Sequence, residues 1–137
     1  MATVMIFKFV DDGPKLEVNW GKGEGWWNGS TLLSLAISAV CDKLAESGNG
    51  EPASVYNDAI KALGGDPEMQ WNYEVNKELL DKAWDLAEKN WKDILAKISN
   101  GMKMIANEEY NQGEPDKMAA IDDALLLLAA HFMGLWD

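Results

Sequence analysis

Residues 71–106 read WNYEVNKELLDKAWDLAEKNWKDILAKISNGMKMIA. Tyr73, Leu80, Trp84, Ala87, Trp91, Ile94, Ile98, Met102 and Ile105 recur at multiples of three and four. That spacing draws one face of an α-helix over about eight turns. Trp84, Trp91, Ile98 and Ile105 are each seven apart. No proline interrupts the run, and Leu, Ala, Lys and Glu dominate it, so intrinsic preference and periodicity agree. The spacing predicts one continuous rod with indoles inward and carboxylates toward water.

A second pattern runs along the same stretch. Glu74, Glu78, Asp81, Asp85 and Glu88 are spaced four, three, four and three. At about 100° per residue they make a single acidic stripe, offset by about 110° from the apolar one. Its axial step of about 5 Å approaches the spacing of phosphates along a nucleic-acid strand. Two readings follow. The stripe is a partner surface that imitates nucleic acid, or it is a solvated helix face. Glu78–Lys82, Asp85–Lys89 and Glu88–Lys92 are i,i+4 pairs with the acid first, the stabilising orientation, which favours the second reading.

The N-terminal side of this helix carries strand signals. Residues 3–10, TVMIFKFV, are β-branched and aromatic, and Leu16, Val18 and Trp20 alternate with Glu17 and Asn19. Asp11-Asp12-Gly13-Pro14-Lys15 between them is a turn signal. A hairpin alone is marginal in water, so it is expected to lie on helices or gain a third strand near Trp26 and Trp27. The expected fold class is therefore α+β. A hairpin of two or three strands packs on four to five α-helices, with the long helix central. Residues 1–137 form one domain, with the hairpin and Gly/Trp loop in 1–29 and the helical part in 30–137.

Residues 21–29, GKGEGWWNG, hold four glycines. They lack both the Walker pattern and the GxGxxG spacing, and Glu24 would repel a phosphate. Trp20, Trp26 and Trp27 beside them either close the sheet or form a ligand or partner surface. Ser30 is a suitable N-cap for a helix over 31–46, with Leu33, Ile37, Val40 and Leu44 inward and Gly48 at its end. Pro52 opens a second helix, striped by Val55, Tyr56, Ala59, Ile60 and Leu63 and stopped by Gly64-Gly65. Asp66-Pro67 caps a short turn before the long helix. Pro115 opens the last helix, with Met118, Ile121, Leu125, Leu128, Phe132 and Leu135 on one side. From Ala124 onward it is apolar nearly all round, which marks a buried helix or one that meets another chain. Leu125, Leu128, Phe132, Leu135 and Trp136 are the candidate dimer interface.

Charge and composition narrow the function. The chain has 137 residues, 12 lysines, no arginine and 23 acids, for a net charge of −11. That balance opposes direct nucleic-acid binding and points to neutral or basic partners. The 124–130 apolar run is shorter than the roughly 20 residues of a membrane span, so no membrane partner is expected. Cys41 is the single cysteine, consistent with a cytoplasmic location. His131 is the single histidine and has no evident triad partner. With one His and one Cys the usual zinc sets cannot form, and no metal or cofactor is expected. No catalytic constellation emerges, so the chain is read as a non-enzyme. The expected function is a small acidic protein-interaction module, in its sharpest form a decoy or inhibitor of a nucleic-acid-handling protein. The alternatives are a small-ligand binder using the Trp/Gly loop and a structural homodimer.

Overall fold

The computed structural model describes residues 4–10, 13–19, 29–47 and 50–136. Two strands come first, β1 (Val4–Val10) and β2 (Gly13–Asn19). They pair antiparallel, from Val4 opposite Asn19 to Val10 opposite Gly13. Gly13, Pro14 and Lys15, expected in the turn, belong to the second strand. Both strands of a two-stranded ribbon are edges, which is where a sheet tolerates proline.

Four helices follow: α1 (Gly29–Ser47), α2 (Ala53–Ala62), α3 (Tyr73–Ala106) and α4 (Pro115–His131). Short 3-10 turns at Pro67–Asn72, Glu109–Gln112 and Phe132–Trp136 lead into α3, join α3 to α4 and follow α4. The expected α+β class is corrected by this arrangement. Among the described residues from Gly29 onward, 89% are helical and none lies in a strand. An α+β domain needs a sheet whose face forms one wall of the core. Here the buried cluster comes from the helices and the C-terminal turn: Cys41, Val55, Ala59, Ile60, Leu80, Ala87, Trp91, Leu95, Ile98, Met102, Ala124 and Leu135 among them. The fold is helical, with a ribbon at one end whose first strand approaches α1.

The long helix is the hub. At 1.5 Å per residue its 34 residues span about 51 Å. Among the described residues, α1, α2 and α4 each pack on it rather than on one another. Its start is built from local hydrogen bonds. Asp66 Oδ1 accepts from the Glu68 amide at 2.9 Å, capping the 3-10 turn that Pro67 opens. The rod is not continuous: Asn76 leaves the helical region (φ −108°, ψ 16°). Its side chain donates to the carbonyls of Asn72 at 3.1 Å and Met69 at 3.4 Å, the local competition that bends helices.

Small residues set how closely the neighbours approach. On α1 the buried positions are Leu32, Ser34, Ser38 and Cys41, whereas Leu33, expected inward, is 67% exposed. Ser38 Oγ meets Ser99 Oγ of α3 at 3.1 Å, and Ser99 donates to Asp42 Oδ1 at 2.5 Å. Lys103 closes the network on Asp42 Oδ2 at 3.0 Å. On the other side of α3, Gly101 lies against Ala124 and the Ala120 carbonyl of α4.

Candidate functional site

Of the acidic residues on α3, Glu74 stands before the break at Asn76 and the other four after it. Glu74, Glu78, Asp81, Asp85 and Glu88 are all exposed. Two of the three anticipated ion pairs close, Glu78–Lys82 at 3.4 Å and Glu88–Lys92 at 3.3 Å. Asp85 and Lys89 are not paired among the described residues. Asp81 accepts from the Tyr73 hydroxyl at 2.6 Å, and this bond, then desolvation, then the Asp81 charge, raises the Tyr73 pKa.

The tryptophans divide. Trp91 is buried in the core, with His131 of α4 edge-on to it at 5.9 Å. His131 is thus a packing partner at the base of α4. Trp84, expected inward, is 55% exposed, and Trp71 is 90% exposed. The reason is positional. Trp84 falls at the border between the buried and acidic stripes, where the covering element is the short helix α2. Tyr56 of α2 meets its indole edge-on at 5.7 Å, and the Tyr56 hydroxyl donates to the Leu80 carbonyl at 3.4 Å. Trp84 is therefore a half-exposed ring held by a fixed aromatic neighbour, beside a row of carboxylates.

Between Trp84 and Trp91 the surface opens into a groove of about 380 Å³, lined by Leu44, Gly50, Glu51, Trp84, Glu88, Trp91 and Lys92. Glu51 was not singled out from the sequence. Its Oε1 is buried with no hydrogen-bond partner among the described residues. Burial, then the Glu88 charge, pushes its pKa up against the opposing hydrogen bond of its own backbone. A second groove of similar volume lies near the start of α3, between Leu63, Val75, Asn76, Glu78, Leu79 and Lys82.

The remaining candidates separate. Trp20, Trp26 and Trp27, with the expected third strand, lie outside the described residues, as does the side chain of Trp136. Along α4 and the 3-10 turn after it the expected stripe is split: Ile121 and Leu135 are buried, Leu128 is half-buried, and Leu125 and Phe132 are exposed. Leu126 and Met133 are more exposed still. Pro115–Leu135 is long and apolar enough to cross a membrane by length and composition, although 124–130 alone is not, and 17% of its most apolar window is buried. Cys41 is fully buried, and burial, then Asp42, raises its thiol pKa to about 11. Comparison with known proteins gives no match: no family model fits the chain, and no curated protein or solved structure resembles it.

Proposed function

We propose that the chain is an acidic protein-interaction module that takes a basic protein partner on the acidic and aromatic face of α3. The observation that carries this is one strip of surface. Five exposed carboxylates run along the helix, and Trp84 stands half-exposed beside them, braced by Tyr56. A fixed aromatic ring supplies contact area at small entropic cost, and surrounding carboxylates steer a cationic partner toward it. The net charge of −11 extends that steering over the whole molecule.

The narrower form of this reading is a decoy for a nucleic-acid-handling protein, supported by the axial step of about 5 Å between successive acids. Lysines answer two of the five acids, so the broader form is the better supported.

The test compares immobilised protein with a variant neutralised at E74Q, E78Q, D81N, D85N and E88Q. Basic proteins should be retained by the first at 50 mM salt, released by 500 mM, and not retained by the second. Equal retention on both excludes this face. A captured protein that gives up duplex DNA when the chain is added supports the decoy form.

A second reading, self-association through α4 and the turn after it, is favoured by the exposure of Leu125 and Leu126 on the helix and Phe132 and Met133 on the turn.

A further inference from the structure

We propose that α4 pairs antiparallel with the α4 of a second copy of this chain, the two Ala129 residues facing each other at the two-fold axis. This deepens, and rests on, the reading in which the chain self-associates through α4 and the turn after it.

Ala129 is exposed and stands at the centre of the apolar face. At about 100° per residue, Leu125 and Phe132 lie about 40–60° to one side of it, and Leu126 and Met133 lie as far to the other. All four are exposed. Phe132 keeps helical backbone (φ −52°, ψ −44°), so the line of α4 carries into the turn. Large residues thus stand three and four positions before and after one small residue, and the face has the same bulk read from either end. A surface of that symmetry fits itself about a two-fold axis. Turned antiparallel, Leu125 comes level with the partner's Phe132 and Leu126 with the partner's Met133. The two alanines at the crossing let the helices close.

Charge agrees with a second copy and sets its direction. From Ala124 to Gly134 there is no Asp, Glu or Lys, so this face offers a charged partner no counter-ion. Asp122 is exposed two turns before Ala129, within about 20° of the same direction. In a parallel pair the two Asp122 carboxylates would oppose each other. In the antiparallel pair they stand at opposite ends, about 21 Å apart along the axis, roughly two Debye lengths at 0.1 M salt. Each copy carries a net charge of −11, so salt should tighten this dimer, whereas it should loosen the capture of a basic protein.

The test combines light scattering with disulfide trapping. The chain should dimerise at high concentration, and more tightly at about 500 mM salt than at about 50 mM. L126K/F132K should weaken the dimer at least about tenfold. E46Q/D58N makes the same change of charge at exposed positions of α1 and α2, and should alter it less than about twofold. Under mild oxidation A129C should link two copies and D122C should not. Cys41 is fully buried, so the wild-type chain serves as the blank. A monomer at every concentration, or a dimer indifferent to L126K/F132K, removes self-association through α4 and this pairing with it. If L126K/F132K abolishes the dimer but A129C does not link, or D122C links as readily, the antiparallel pairing is overturned and the broader reading stands. A dimer that loosens with salt, or that E46Q/D58N also abolishes, overturns the pairing as well.

Discussion

Gly101 of α3 and Ala124 of α4 touch so closely that a β-carbon added at Gly101 would overlap the Ala124 methyl. Neither residue offers a flexible side chain that can swing aside, so any added atom must push the helices apart. Two effects then compete. Alanine is the better helix former by about 1 kcal/mol. Overpacking a close contact costs about 1–3 kcal/mol. The overlap is with an atom fixed to the backbone, so the second should win. G101A should lower unfolding stability by about 1–2 kcal/mol, and G101V by more. Urea denaturation of the pair checks this, and a G101A protein as stable as wild type would show that the helices part freely.

The Ser99–Asp42–Lys103 network gives an acid-sensitive contribution. Burial works to raise the Asp42 pKa, but hydrogen bonds from Ser99 and Lys103, with the Lys103 charge, hold it below the ordinary 3.8. A depressed native pKa contributes stability that is complete above 3.8 and is lost as pH falls through the native value. The Asp42 side chain is about half exposed, so solvent screens much of the effect. D42N should cost about 1 kcal/mol or less at pH 7, and the difference should shrink below pH 4. A constant difference from pH 7 to pH 2 would refute the titration account.

Glu51 has the opposite sign. Its native pKa lies above the ordinary 4.5. Below 4.5 both states are protonated and the residue is neutral in effect. Above it the unfolded chain ionises first, so the folded state loses relative stability until its own pKa is passed. E51Q should therefore raise stability at pH 7 by less than about 1 kcal/mol and leave it unchanged at pH 3.5. Thermal melts at the two pH values measure it. A variant less stable than wild type at pH 7 would mean that the carboxylate has a partner in solution.

Much of this fold is legible in the sequence because its signals are local. Pro52, Asp66-Pro67 and Pro115 mark helix starts through the missing amide and the cap. The long helix follows from its period, but the break at Asn76 does not, because it arises from that side chain's bonds to nearby carbonyls. What pattern alone does not show is which chemistry faces inward when helices approach closely. A stripe drawn from leucines selects Leu33, yet α1 turns Ser34, Ser38 and Cys41 toward the core. Serines count as polar in any binary pattern, and for Ser38 the pairing with Ser99, 61 residues away, makes burial inexpensive. The acidic stripe was readable for the same reason as the helix. Glu51 was not, because it precedes α2 and owes its burial to residues distant in sequence.

Cys41 reports on opening. It is fully buried, and its thiol pKa is raised to about 11. Reaction with a disulfide reagent needs the thiolate and access to it. In native buffer at pH 8 the thiol should react at the rate at which the chain opens, and subdenaturing urea should speed it. Immediate stoichiometric labelling would show that α1 leaves α3 readily.

The apolar side of α4 leads to a measurement of mass. Leu126 is 71% exposed and Phe132 59% exposed. Burying such side chains against a second copy stabilises by about 1.5–3 kcal/mol each. Light scattering should give twice the 15.2 kDa of one chain at high concentration, and L126K/F132K should return it to one. A monomer at every concentration excludes self-association.

The arrangement of three helices around α3 also sets an order of release. Each satellite meets its own sector of the same rod, so one can detach while the other two keep their seats. The first to go should be α4, whose buried residues are Ile121 and Ala124, against four on α1 and three on α2. In hydrogen exchange its amides should therefore exchange ahead of those around Trp91 to Met102. Those central amides should exchange only when the whole chain comes apart.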